Sequence, residues 1–334
     1  MNLDYKNTKI IFDNFNVEYY KNAYFIIDYK VDKLYNLSQK IDRRRQLIMK
    51  SGEKAKSFKG VTNILDFFCS NDVDRSSEIV AIGGGSLLDL VGFTTSIYKR
   101  GIPLHFIPTT LLSMADASIG GKNGINYRKI KNIIGTYKFP ETIFIDTNFT
   151  KTLPRKDIIS GYIEILKMSM LDSFNFFNFL ISNPFNTIIN NHLDKIIQKS
   201  IQIKQNFIDG DIFDENKRKF LNFGHTIGHS IELEYNLPHG IAVAYGIHYE
   251  LKFSEHYKSL NYYIRNIYDA HLKEIGNFFK IEIEINRIID KIKHDKKNTN
   301  SQIDLILLED IGKPVIFKIS YAKFINDLQN MFKS

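Results

Sequence analysis

The sequence predicts an α/β N-terminal nucleotide-binding domain over residues 1–153 and a mainly α-helical C-terminal domain over residues 154–334. Short, nearly continuous apolar runs fill the first part, as expected of strands buried on both faces of a parallel sheet. Helix-like pieces alternate with those runs, the order that a parallel α/β layer requires. After "TLPRKD" apolar residues recur mostly at helical spacing instead.

Along the chain, "AYFIID" reads as a strand and "KVDKLYNLSQKI" as the helix that follows it. "RQLIMK" is the next strand, and "EIVAIGGG" runs through a strand into a glycine turn. "LLDLVGFTTSIYKR" is a helix, and "LHFIPTT" and "ETIFIDT" complete the strands of this domain. Beyond residue 157 "ISGYIEILKMSML" and "NFGHTIGHSIE" read as helices, with β-like pieces only at "IDLILLED" and "PVIFKI".

Composition narrows the function classes. A chain of 334 residues with 43% hydrophobic content has room for two folded domains. No apolar run approaches the roughly eighteen residues of a membrane span, and the opening "MNLDYKNTKIIFDNF" has no apolar signal-peptide core. Cys69 is the only cysteine, so no internal disulfide is possible and a reducing cytoplasm is the expected location. The net charge of +8 goes with a general bias to Lys, Asn and Ile. No basic cluster coincides with a nucleic-acid motif, so neither nucleic acid nor membrane is an expected partner.

Several stretches carry chemistry. "AIGGGSLLDLVGF" sets three glycines between a strand and a helix, where backbone N–H groups can approach a pyrophosphate and the helix N-terminus favours its charge. It is not the dinucleotide fingerprint GxGxxG. In the following polar, glycine-broken stretch stand Thr109, Asp116, Lys122 and Asn132, with Lys122 beside Gly120-Gly121 and Lys131 next to Asn132. Lysines so placed meet phosphate or carboxylate oxygens. Glu164 and Lys167 lie at i, i+3 amid Ile, Leu and Met, and burying either charge requires a partner or a metal.

On a helical wheel with Arg218 at zero, Asn222, His225, His229 and Glu232 fall within about 40° of it. Phe220, Phe223, Ile227 and Ile231 face the other way, and Gly224 and Gly228 offer a flank for close packing. His225 and His229 share a face whether they hold one metal together or divide the work. The residue after His225 is Thr226, so the HExxH motif is absent. His239 follows in "NLPHG", after a proline that ends the helix. Glu164, His225 and His239 would make a carboxylate and two imidazoles with open positions, the pattern of a catalytic zinc. Lys204 falls on the preceding helix, and "HDKKN" adds Lys296 and Lys297.

Together "GGGSLLDLVGF", "YKRG", "IPTTLL", "GGKNGIN", "KNIIG", "GYIEILK", "RKFLNFGHTIGHSIE", "PHG" and "DKKN" resemble, in order and spacing, the dehydroquinate synthase family of sugar-phosphate cyclases. The resemblance covers about Gly52 to Lys297. It implies conversion of 3-deoxy-arabino-heptulosonate 7-phosphate to 3-dehydroquinate and phosphate, in the shikimate pathway of aromatic biosynthesis. The route it implies is NAD-mediated oxidation, phosphate elimination, reduction, ring opening and aldol closure. The metal ligands it implies are Glu164, His225 and His239, for zinc, with cobalt an alternative. His229 is then an acid–base group rather than a ligand.

The same resemblance places Asp116, Lys122, Lys167, Lys204, Arg218, Asn222 and His229 along the substrate. It gives the phosphate to Lys122, Asn132, Lys296 and an Arg100 reaching in from the second subunit of a homodimer. NAD falls to Glu53, Lys56, Gly84, Gly85, Asp89, Thr109, Thr110, Lys131 and Thr152, with Asp28 at the adenosine end. Asn123 departs from the family, which usually has Thr there, and the loop between His229 and His239 is two or three residues short. Sister cyclases acting on substrates without the carboxylate are the nearest rivals. The retained Arg218, Asn222 and late lysines favour the carboxylate-bearing substrate. A metal-dependent polyol dehydrogenase would consume NAD and need fewer phosphate-binding lysines.

Overall fold

The structure, a computed structural model, describes residues 2–5, 8–50, 52–128, 130–276, 278, 283–295 and 302–333. The chain forms two compact units, Met1–Pro154 and Arg155–Ser334.

In the first unit the elements are β1 (Asn2–Tyr5), β2 (Thr8–Phe12), β3 (Tyr24–Asp28), α1 (Tyr29–Tyr35), β4 (Gln46–Met49), α2 (Phe58–Ser70), β5 (Ile79–Gly83) and α3 (Gly85–Ile97). There follow β6 (Leu104–Pro108), β7 (Lys122–Tyr127), β8 (Ile130–Tyr137) and β9 (Thr142–Ile145). Among the described residues seven strands form one sheet in the order β1-β2-β9-β6-β5-β3-β4, parallel except for the β1–β2 pair. Every residue of β5 and β6 is buried, which is why "IVAIG" and "LHFIP" read as unbroken apolar runs. From β3 the chain goes outward to β4, then returns to place β5 on the other side of β3. Such a reversal opens a crevice at the carboxyl ends of the strands, where α/β sheets bind ligands.

Three sequence expectations change here. "KVDKLYNLSQKI" is not one helix: Asn36 adopts a left-handed conformation (φ 51°), ends α1 and starts a separate short turn. The helix of "LLDLVGFTTSIYKR" stops at Ile97. Lys99 and Arg100 lie past its end with φ of 47° and 65°, so Arg100 is not the helix-terminal residue that dipole compensation would need. The stretch after Gly121 is neither helix nor plain loop but the antiparallel β7–β8 hairpin.

The second unit consists of α4 (Arg155–Asp172), α5 (Phe174–Ser182), α6 (Phe185–Asn191), α7 (Leu193–Ile208), α8 (His225–Tyr235), α9 (His239–Lys258), α10 (Tyr262–Ile275) and α11 (Ile285–Asp295). The hairpin β10 (Gln302–Asp310) and β11 (Lys313–Ser320) and the helix α12 (Tyr321–Lys333) close it. All residues from Ile158 to Leu171 in α4 are buried, so this helix is the axis of the unit and is apolar almost all round. No helix among the described residues is long and apolar enough to cross a membrane.

Candidate functional site

In the second unit the polar groups gather where α4, α8 and α9 meet. The approach of α9 to α4 is set by Gly240: a Cβ there would stand 2.0 Å from the Ser160 carbonyl oxygen, so only glycine fits. The Gly240 N–H donates to Ser160 Oγ at 2.9 Å. One turn further along α4 is Glu164, and one residue before Gly240 is His239, the first residue of α9. His239 thus opens a helix, capped by Pro238, rather than lying in a loop.

The helix expected from Arg218 onward is in fact two pieces. Residues Lys217–Asn222 form a tight 3-10 turn, the chain bends at Phe223–Gly224, and α8 starts at His225. Gly224 has φ +79°, and a Cβ on it would stand 2.4 Å from the Ile247 side chain. Its N–H donates to Glu250 Oε2 at 2.7 Å. A single wheel through Arg218 and His225 therefore does not describe the site: Arg218 is buried and Asn222 exposed.

Glu164 is fully buried, and neither carboxylate oxygen accepts a directed hydrogen bond among the described residues. Charged groups surround it instead. Lys167 Nζ is 2.7 Å from Oε2 and also donates to the Leu221 carbonyl at 2.7 Å. His225 Nε2 and His239 Nε2 are 3.7 and 3.5 Å from Oε1. Nδ1 of His225 faces the Phe223 carbonyl at 3.1 Å, and Nδ1 of His239 faces Glu232 Oε2 at 3.2 Å. When those Nδ1 atoms carry their protons, both rings present Nε2 to Glu164.

This arrangement fits a divalent metal. Two ligands about 2.1 Å from one ion in a tetrahedron lie about 3.4 Å apart, close to the observed 3.5 and 3.7 Å. One atom from each of Glu164, His225 and His239 falls within 4.8 Å of the others, and a second such group is His229, Glu232 and His239. The short loop before His239 leaves it within reach of Glu164.

Electrostatics follow from the same contacts. Burial alone would raise Glu164, but the Lys167 ammonium and then the two imidazoles hold it well below the usual carboxylate range. Burial, reinforced by the Lys167 charge, keeps His225 well below the ordinary imidazole value. Burial also opposes protonation of His239, yet its contacts with Glu164 and Glu232 push it up to about 10.

The remaining residues singled out in this unit are Lys204, Arg218 and His229. Lys204 is buried on α7. The Arg218 N–H donates to Asp211 Oδ2 at 2.8 Å, and its guanidinium donates to the Ile212 carbonyl at 2.5 Å. His229 is half-buried, its ring 5.0 Å from that of His225 and 5.9 Å from that of His239. Lys296 and Lys297 lie outside the described residues. Glu232 and Glu250 are contacts to which sequence reasoning gave no role. Glu232 stands on the polar face that the sequence singles out with His225 and His229, though without a contact assigned to it, whereas nothing local marks Glu250, which sits in α9.

In the first unit the residues assigned to NAD follow the carboxyl ends of strands. Asp28 closes β3, where its side chain caps α1 through Lys30 N–H (2.7 Å). Gly84 lies between β5 and α3 and Gly85 opens α3, Thr109 and Thr110 follow β6, and Thr152 follows β9. Glu53 and Lys56 come after β4 and are tied into one network with Asp89 and Asn132. Lys56 is buried and donates to Asp89 Oδ2 at 2.6 Å and to the Asn132 side-chain oxygen. Glu53 accepts from Asn126 Nδ2 at 2.7 Å and Ser86 Oγ at 3.0 Å. Lys122 opens β7 on the surface, Lys131 and Asn132 are the second and third residues of β8, and Asp116 lies in a π-helical turn, Ser113–Ala117.

Asn123 is buried against α3. Its Nδ2 donates to the Gly121 and Lys138 carbonyls at 2.8 and 2.9 Å. A Cβ on Gly92 would stand 1.9 Å from Asn123 Oδ1, so the departure from Thr faces α3.

Comparison with known proteins gives a consistent result. The family model "3-dehydroquinate synthase N-terminal" matches residues 46–160, and "3-dehydroquinate synthase C-terminal" matches 161–298. A 3-dehydroquinate synthase of Staphylococcus epidermidis is 36% identical over 332 residues, 94% of this chain and 93% of the relative. Among solved structures, a 2-epi-5-epi-valiolone synthase from Streptomyces hygroscopicus with NAD+ and Zn2+ bound superposes with TM-score 0.87 at 22% identity, covering 99% of this chain and 98% of that one. A 2-deoxy-scyllo-inosose synthase complexed with carbaglucose-6-phosphate, NAD+ and Co2+ gives TM-score 0.84 at 24% identity, covering 97% and 96%. At those identities the two structures attest the fold, whereas the family models and the curated relative carry the family: the chain belongs to the 3-dehydroquinate synthase family.

Proposed function

We propose that the chain is a 3-dehydroquinate synthase, a lyase that converts 3-deoxy-arabino-heptulosonate 7-phosphate to 3-dehydroquinate and inorganic phosphate. The observation that carries this reading is the buried Glu164–His225–His239 cluster, within a chain that matches a 3-dehydroquinate synthase over almost its full length. The first unit is the NAD-binding domain and the second the metal- and substrate-binding domain. Glu164, His225 and His239 hold a divalent ion, zinc or cobalt. Glu53, Lys56, Gly84, Gly85, Asp89, Thr109, Thr110, Lys131 and Thr152 serve NAD. When bound, the ion supplies Lewis acidity at a substrate hydroxyl, and NAD supplies a hydride acceptor that is restored within the turnover.

The chain's own groups orient a multiply charged substrate and handle its protons. His229, half-buried beside the two ligand imidazoles, holds the acid–base role. Lys167 keeps Glu164 ionised and lies against the substrate hydroxyls. Lys204, Arg218 and Asn222 serve the carboxylate, and Asp116 orients a hydroxyl. Lys122, Asn132, Lys296 and the Arg100 of a second subunit hold the phosphate, whose fixed position favours its departure. The left-handed, exposed Arg100 is spared for such a contact rather than for its own helix. The working form is a cytoplasmic homodimer.

Incubation of the purified protein with the heptulosonate phosphate tests the reading. Phosphate and dehydroquinate should appear in equal amounts, and a sugar phosphate lacking the carboxylate should be turned over poorly. Preference for the latter would assign the chain to a sister activity.

A further inference from the structure

His239 is held from both sides: Nε2 faces Glu164 Oε1 at 3.5 Å and Nδ1 faces Glu232 Oε2 at 3.2 Å. A ring with one nitrogen on each carboxylate can give only one of them to a metal. His225 resolves the same choice through the Phe223 carbonyl, 3.1 Å from its Nδ1. Glu232 makes the corresponding contact for His239, but with a carboxylate instead of a neutral acceptor. It comes from α8, seven residues after His225, so the helix that supplies one imidazole also anchors the other. Its side chain is only 12% exposed, which strengthens the hydrogen bond relative to a solvated one.

We propose that Glu232 is a positioning residue for the metal centre, accepting the Nδ1 proton of His239 so that Nε2 points at the ion. It rests on the reading of Glu164, His225 and His239 as ligands. A carboxylate behind a ligand imidazole fixes its tautomer and raises its basicity, and losing such a partner typically weakens metal binding about 10–100-fold. The rival arrangement uses the other nitrogen, with His229, Glu232 and His239 as the ligands. The two assign opposite roles to the same carboxylate.

Cobalt affinity decides it, measured on the purified protein by competition with a chromophoric chelator, with the visible Co2+ spectrum recorded for each variant. Thermal unfolding of the metal-free variants establishes that each is folded. Glu232→Ala should still bind one Co2+ but about 10–100-fold more weakly. Glu232→Gln, whose amide oxygen can still accept from Nδ1, should recover part of that loss and keep the wild-type spectrum. His229→Ala should bind as tightly as wild type, and Glu164→Gln should bind far more weakly. Unchanged affinity in Glu232→Ala, or a Gln variant no better than Ala, would overturn the positioning role while leaving the metal centre standing. If Glu232→Ala and His229→Ala lose the ion and Glu164→Gln keeps it, the metal-centre reading itself falls.

Discussion

His225 and His229 share one face of α8, yet their surroundings separate them. His225 is locked between the Phe223 carbonyl and Glu164, whereas the His229 ring lies edge-on to that of His225 at 5.0 Å and tilted to that of His239 at 5.9 Å. His225→Ala should therefore lose bound metal, and His229→Ala should retain a full equivalent while losing most activity. Equal loss of metal in both, by elemental analysis, would contradict this division. His239 carries the pH dependence. Its pKa near 10 means that the metal-free site is protonated at neutral pH. Metal uptake should therefore release about one proton per ion, and affinity should rise about tenfold per pH unit up to about pH 10, then level off. Since this pKa is raised above the unfolded value, its contribution to apo-protein stability is complete below about pH 6.5 and is lost as pH climbs through about 10. Calorimetry in buffers of different ionisation enthalpy reads the proton directly. The anomaly of Glu164 and Lys167 amid Ile, Leu and Met is legible in the sequence because a buried charge demands a partner. The partner of His239 is less so, because Glu232 looks like any polar residue on a helix until α9 is folded back beside it.

Helices α4, α8 and α9 hold the site through contacts too close for a side chain. Gly240→Ala should push α9 off the Ser160 carbonyl, destabilise the protein by about 1–3 kcal/mol and weaken metal binding, because His239 begins the displaced helix. Unfolding midpoints and chelator competition check both effects; wild-type values for both would show that α9 adjusts freely. At this scale the buried strands β3, β5, β6 and β9 are readable from apolar runs alone. The break at Gly224 is not. A helical period continues across "RKFLNFGHTIGHSIE", and what interrupts it is the tertiary contact with Ile247 and Glu250. The β7–β8 hairpin is missed for the opposite reason: its first strand is buried in a run of three rather than alternately, and its second has no fully buried residue, so neither shows an alternation of apolar and polar residues. Asn123 shows how a departure from a family pattern is absorbed, since its amide is spent on two carbonyls and fills the space beside Gly92.

In the whole molecule, one unit places the glycine turn and the threonines at the carboxyl ends of its parallel strands, and the other buries a carboxylate among two imidazoles and a lysine. Such features suit an enzyme that oxidises its substrate with a bound cofactor, and whether the hydride is returned separates two activities. A dehydrogenase of similar architecture would oxidise its substrate and release NADH. The cyclase must return the hydride after phosphate has left, so the cofactor's net oxidation state does not change over a cycle. The direct test is turnover with the heptulosonate phosphate in large excess over NAD, following phosphate release, dehydroquinate and NADH absorbance together. Many equivalents of phosphate and dehydroquinate per NAD, in equal amounts and without lasting NADH, is the predicted result. NADH accumulating in proportion to product, with reaction stopping when NAD is exhausted, would contradict the account.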